Sequence, residues 1–230
     1  MSGFLSNNQM SSYGSDSNST SRPNIMLGNN FFTTHNINRS KYVSSGKYAS
    51  TFMIDANLLV KLAVNQSKTS LEKELRMAKK AANLDIGPKL SLTKKSDVFP
   101  YQNQFALVLY MDKLDGTFEQ FMKSNKSNEE ILRAIRDIEI KRQLLNKNDI
   151  CHNDLHERNV MYKRVKVKKN AVNYEWFFID FGSADIINNK NSCRRNITGA
   201  FDGLLMRLKH QYGTKRKPLR NITSVFKLDF

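Results

Sequence analysis

The chain has 230 residues, 40% of them hydrophobic, which suits one compact domain of two lobes or a domain with tails. No run of about 18 apolar residues argues for a membrane span, the start Met1-Ser2-Gly3-Phe4-Leu5 has no signal-peptide pattern, and two cysteines, Cys151 and Cys193, are too few for a disulfide framework. The net charge of +16 favours phosphate-rich or acidic partners, with nucleotide, nucleic acid, anionic lipid and acidic protein all compatible.

Residues 1–38 are rich in Ser and Asn, lack apolar periodicity and read as a disordered tail, with Asn29-Asn30-Phe31-Phe32 as a candidate docking strap. Ser44-Ser45-Gly46-Lys47-Tyr48 suits a first hairpin turn. Two strand-like runs follow, 50–54 and 58–63, joined by the turn-forming Asp55-Ala56-Asn57. A helix is expected from about Thr69, where Thr69 and Glu72 have capping-box spacing, to Gly87-Pro88. Phe105 to Met111 is a short apolar run for a buried strand. Asp115-Gly116 marks a turn and Thr117 to Met122 a short helix. Ser127 and Glu130 form a second capping box for a long helix to about Asn146, with Ile131, Ile135, Ile138 and Leu145 on one face. Val160 to Tyr162 and Tyr174 to Ile179 read as a hairpin, and Ile197 to Leu208 as a last helix. The order predicts an α+β chain, sheet-rich first and helical second, with an N-terminal lobe over 39–111, a C-terminal lobe over 112–208 and a basic tail over 209–230.

The chemistry concentrates in two places. Asp154 and Asn159 sit five residues apart in His152-Asn153-Asp154-Leu155-His156-Glu157-Arg158-Asn159, and Asp180 follows 26 residues after Asp154, just past an apolar run. A carboxylate at Asp154 suits a general base that orients an acceptor hydroxyl. Asn159 and Asp180 offer the hard oxygens that magnesium prefers. Lys61, in the second apolar strand, is the candidate phosphate-binding lysine, unless it is a plain surface lysine. Glu74, 13 residues later and within the expected helix, is its candidate partner. Gly46 is the candidate for a phosphate-covering loop, although one glycine also suits an ordinary hairpin. Met111, Asp112 and Leu114 belong to the connection between lobes, where backbone groups can meet an adenine edge or simply leave a strand. His152 is expected to buttress the loop and His156 to face the cleft near the transferred phosphate; His-x-Asp-x-His as a zinc site lacks further ligands. Asp202, in an apolar helix, needs a partner and is expected to brace the catalytic-loop backbone or to sit exposed. Lys215-Arg216-Lys217-Pro218 fits an import signal, a nucleic-acid contact or a solvated tail.

This set of residues, from about Lys41 to Leu208, resembles the protein-kinase superfamily. The resemblance implies a two-lobed kinase fold, with Lys61 and Glu74 as an ion pair, Asp154 as catalytic base, and Asn159 and Asp180 holding magnesium with ATP. Asn153 stands where many protein kinases carry an arginine that meets a phosphorylated activation segment. His156 replaces the usual lysine, as in aminoglycoside and choline phosphotransferases, whose metal turn usually lacks the Phe181-Gly182 found here. Only 50 residues follow Asp180 and no Ala-Pro-Glu motif occurs, so the shape is similar to compact atypical kinases with a truncated C-lobe: the RIO group, the KEOPS-complex kinase and short kinases of large DNA viruses. The expected activity is ATP- and magnesium-dependent phosphorylation of Ser or Thr in a protein substrate. A small-molecule phosphotransferase and a nucleotide-binding pseudokinase serving a partner are the alternatives. An acidic or nucleic-acid partner fits the basic surface. The expected location is intracellular: host cytoplasm or virion for a viral protein, or the nucleus.

Overall fold

The computed structural model describes residues 27–45, 49–166, 172–187 and 195–213. The first half is built on five antiparallel strands, β1 (Tyr42–Ser45), β2 (Ala49–Met53), β3 (Leu58–Asn65), β4 (Asp97–Tyr101) and β5 (Gln104–Asp112), in the order β1-β2-β3-β5-β4. The turn between β2 and β3 forms as its residues dictate: Asp55 Oδ1 accepts from the N–H groups of Asn57 at 2.8 Å and Leu58 at 3.0 Å. Alternation along the strands then sorts the side chains. Phe52, Val60, Leu62, Ala106, Val108 and Tyr110 bury on one face. Ala63, Leu107 and Leu109 bury on the other, against Leu71, Leu75 and Ala78 of α2 (Lys68–Asn83).

Two expectations change here, and one strand is added. The folded region begins before residue 39: α1 (Asn29–Thr34) packs Phe31 and Phe32 onto the outer face of the sheet beside Phe52 and Phe99, so residues 27–38 belong to the lobe. Residues 1–26 lie outside the described residues. The cap of α2 is Ser67, whose hydroxyl accepts from Ser70 N–H at 3.2 Å; Thr69 lies inside the first turn, and Glu72 pairs with Lys68 instead. β4 had no expectation because Pro100 interrupts its pattern; as the edge strand it tolerates the missing N–H.

The second half holds β6 (Gly116–Thr117), α3 (Phe118–Lys123), α4 (Asn128–Lys147), β7 (Ile150–Cys151), β8 (Val160–Lys166), β9 (Val172–Phe178), β10 (Asp185–Ile186) and α5 (Arg195–Gly213). The Ser127–Glu130 capping box starts α4 as expected, and an unforeseen one, Thr117 with Gln120, starts α3. Ile131, Ile135, Ile138 and Leu145 of α4 meet Phe201, Leu204, Leu205 and Leu208 of α5 in one core with Phe118, Phe121 and Trp176. Gly116 is needed by close approach: a Cβ there would lie 2.9 Å from the Tyr162 hydroxyl. α5 continues to Gly213 with Tyr212 buried, so the expected tail from 209 begins as packed helix, and Lys209 pairs with Glu139 at 2.9 Å. The segment 214–230, with its lysines and arginines, lies outside the described residues. Among the described residues no helix is long and apolar enough to cross a membrane.

α2 belongs to both halves. Its outer turns cover the sheet, while Met77 and Ala81, with Ile86 beyond its end, enter the core of the second half. Phe178 N–H donates to Ile86 O at 2.8 Å, which fixes the end of β9 beneath α2. That junction sets the position of Asp180.

Candidate active site

Lys61 projects from the central strand β3, and Glu74 from the buried face of α2, in line with Leu71, Leu75 and Ala78 at helical spacing. Lys61 Nζ lies 2.6 Å from Glu74 Oε1 and 2.8 Å from Asp180 Oδ1. Burial alone would lower the lysine pKa, but the two carboxylates outweigh it and the net shift is upward, so the ammonium stays charged. For Asp180 burial would raise the pKa, and Lys61 outweighs it in the opposite direction, leaving a carboxylate. Asp180 sits at φ 61°, ψ 68°, in the left-handed region where a non-glycine residue costs about 1 kcal/mol. Gly182 lets this turn lie against α2, since a Cβ there would stand 3.3 Å from Glu74 Oε2.

The loop from His152 to Asn159 is held from beneath. His152 is 1% exposed, with Nε2 2.8 Å from the Ile179 carbonyl and its ring 5.0 Å from that of Phe181. Burial lowers its pKa, partly offset by the Ile179 contact, so the ring is neutral and donates through Nε2. The expected buttressing role matches this position. Asn159 Nδ2 donates to Asp154 O at 2.9 Å, and its own carbonyl accepts from Ile179 N–H at 2.9 Å, which seats Asn159 next to Asp180 across the β8–β9 pair. The Asp154 carboxylate is half exposed, at 49%, and stands at the edge of the cleft rather than in its wall. His156 accepts the Arg158 N–H on Nδ1 at 3.2 Å, which turns Nε2 toward Asp154 Oδ1, 4.0 Å away.

A cleft of about 500 Å³ opens between the halves. Leu59 from above, Met161 and Ile179 from below, and Met111 and Leu114 at the back give it an apolar interior. Lys61, Asn159 and Asp180 line its polar end. This mixture of apolar walls with a few convergent polar groups is that of a small-molecule site. The backbone at its rear is selective. Asp112 N–H donates to Lys89 O at 2.8 Å and Lys113 N–H to Asn57 O at 2.7 Å, and the Asp112 carboxylate pairs with Lys163 at 2.8 Å. The Asp112 N–H is thus not open to a ligand, which corrects that part of the expectation. The N–H and C=O of Leu114 have no hydrogen bond to any described residue, which leaves them for an adenine edge. Gly46 lies outside the described residues; Ser44 and Ala49 on either side of it line the cleft.

Asp202 does not brace the catalytic loop. Its carboxylate bonds the guanidinium of Arg142 on α4, and although Arg142 lowers its pKa, burial dominates and raises it. Asn153 has a role that its sequence position did not reveal: at φ 61° it donates Nδ2 to Ser183 O at 3.0 Å and ties the loop to the segment after Asp180. Lys73, beside Glu74, pairs with Asp185 of the same segment at 2.6 Å. Leu59 and Met161 were also missed; Leu59 lies two residues from Lys61 on one face of β3, a signal that alternation supplies, and Met161 lies two residues after Asn159 at the start of β8.

The residues present fit a magnesium–nucleotide complex. Among the described residues no group of three or more His, Cys, Asp or Glu is placed to hold a metal alone, which disfavours the zinc reading of His152 and His156. Magnesium by contrast needs only one or two protein oxygens beside phosphate, and Asp180 and Asn159 offer two.

A five-stranded sheet and one helix above a helical half, with a lysine bonded to carboxylates from both, define a protein-kinase-like fold. The chain matches the model of the fungal protein kinase family over residues 15–219 and belongs to that family. Membership carries kinase-type phosphoryl transfer and use of ATP, as a rule with magnesium. No curated protein matches the chain.

Proposed function

We propose that the protein is a serine/threonine protein kinase of compact, atypical build, transferring phosphoryl groups from ATP with magnesium to a protein hydroxyl. The observation that carries this reading is the closed Lys61–Glu74–Asp180 contact on the wall of an apolar cleft, with Asp154 at its edge. Bound ATP with magnesium supplies the transferable phosphoryl group and neutralises its charge. Lys61, held charged by Glu74, presents its ammonium to the phosphates, and Asn159 and Asp180 offer oxygens to the metal. Asp154 accepts the hydrogen bond of the incoming hydroxyl and takes its proton. Leu114 and Met111 receive the base, while Asn153 and Lys73 hold the segment after Asp180 in place without a phosphate. An intracellular location, where ATP is supplied, belongs to the same reading, as does an acidic or nucleic-acid partner for the basic surface.

His156 beside Asp154 supports a second reading, a small-molecule phosphotransferase, in which the acceptor is an amino or hydroxy compound. Purified protein with labelled ATP and magnesium, offered mixed protein substrates, separates the two. Label on Ser or Thr, lost about 10²-fold or more in Asp154→Asn while ATP still binds, is the expected result. Undiminished transfer in that variant removes Asp154 as base, and transfer to small hydroxy compounds alone supports the second reading.

A further inference from the structure

One charge lining the cleft is not among the groups assigned above to the phosphates or the metal. Arg158 lies four residues after Asp154 and directly before Asn159. Its backbone is anchored by the 3.2 Å bond to His156 Nδ1, while its side chain is exposed and lines the cleft. No ion pair engages it among the described residues. Of the acids around the opening, Glu74 and Asp180 pair with Lys61, Asp112 with Lys163 and Glu119 with Lys123. The guanidinium is a rigid fork of donors suited to a carboxylate held in its plane, and here it is set in the loop that also carries the base.

We propose that Arg158 selects the acceptor: the protein phosphorylates Ser or Thr flanked by Asp or Glu. This rests on the kinase reading above. The net charge of +16 acts in the same direction, drawing an acidic chain toward the cleft and repelling a basic one. The anchored backbone fixes where the positive charge starts, and Asp154 fixes where the hydroxyl must arrive. An acidic neighbour of that hydroxyl therefore meets Arg158 as the acceptor seats.

The test uses the full chain and three peptide sets with one Ser or Thr, flanked by acidic, neutral or basic residues. The expected order of kcat/KM is acidic, neutral, basic. Arg158→Glu should lower transfer to the acidic set by about tenfold, raise that to the basic set, and leave ATP affinity unchanged. Arg158→Ala gives a smaller fall in the same direction, in case the reversed charge disturbs the loop. The acidic preference should also shrink as salt is raised. A preference for basic peptides, or equal use of all three sets, overturns the assignment. So does a variant that loses ATP affinity and all peptides alike, which would make Arg158 a nucleotide contact. Absence of label from every set, with ATP bound, is a different failure: it overturns the kinase reading and this inference with it.

Discussion

Lys61 joins two carboxylates from different elements, and the consequences of removing it can be separated. Lys61→Met leaves the buried Glu74 uncompensated, at a cost of about 3 kcal/mol in stability. The double variant Lys61→Met/Glu74→Gln removes the more deeply buried of the two stranded charges and should recover most of that stability, yet regain no activity. Denaturant midpoints and transfer rates for the pair decide it: recovery of activity together with stability would make the ion pair merely structural. His152 gives a pH signature. Burial holds it below its ordinary 6.5, so as pH falls beneath that value the unfolded chain takes the proton first. Its contribution is fully present above about 6.5 and is lost as pH drops through the folded value. The melting temperature should therefore fall more between pH 7.5 and 5.5 in the wild type than in His152→Gln, whose amide can still donate to Ile179 O. His35, also held low by burial, adds a contribution of the same sign. Equal losses in both proteins would place His152 outside this linkage.

The elements that were legible in the sequence are those whose local signals agree with their packing. β2, β3, β5 and α4 carry alternation or a 3.6-residue face, together with a turn or cap of the right chemistry, and each formed within about two residues of expectation. The nearness of the 152–159 loop to the turn at Asp180 was legible from the spacing of their oxygen groups, and the bond from Ile179 N–H to Asn159 O joins the two. What failed depended on distant contacts. Asp202 finds Arg142, 60 residues away in the chain, rather than the loop. The strap at Phe31 and Phe32 is too short for periodicity, and its helix exists because the sheet offers Phe52 and Phe99 to cover. Phe32 is 3% exposed, so Phe32→Ala should cost about 3 kcal/mol. Thr33→Ala, on the exposed side of the same helix, should cost less than about 0.5 kcal/mol. If both substitutions move the denaturation midpoint alike, the strap is not a load on the sheet's outer core.

Among the described residues, three of the joins between the two halves border the cleft: α2, which serves both cores, the strand exit at Lys113 to Asp115, and the Lys61–Asp180 bond. A ligand that bridges the cleft touches all three and must stabilise the folded chain as a unit. At a hundred times its dissociation constant ATP with magnesium should contribute about 2.7 kcal/mol, which for a chain of 230 residues is roughly 5–10 °C in melting temperature. The part of the shift that depends on metal should pass through Asp180, because that carboxylate supplies the charged oxygen at the polar end of the cleft. Asp180→Asn should thus keep the shift seen with ATP and a chelator, since Glu74 still holds Lys61 charged and the apolar walls are unchanged, and should lose the increment that magnesium adds in the wild type. The measurement is a set of melting curves for both proteins, with ATP alone and with ATP and magnesium. A magnesium increment that survives in Asp180→Asn would move the metal away from Asp180, and with it the assignment of the turn after β9 as the metal-holding end of the site.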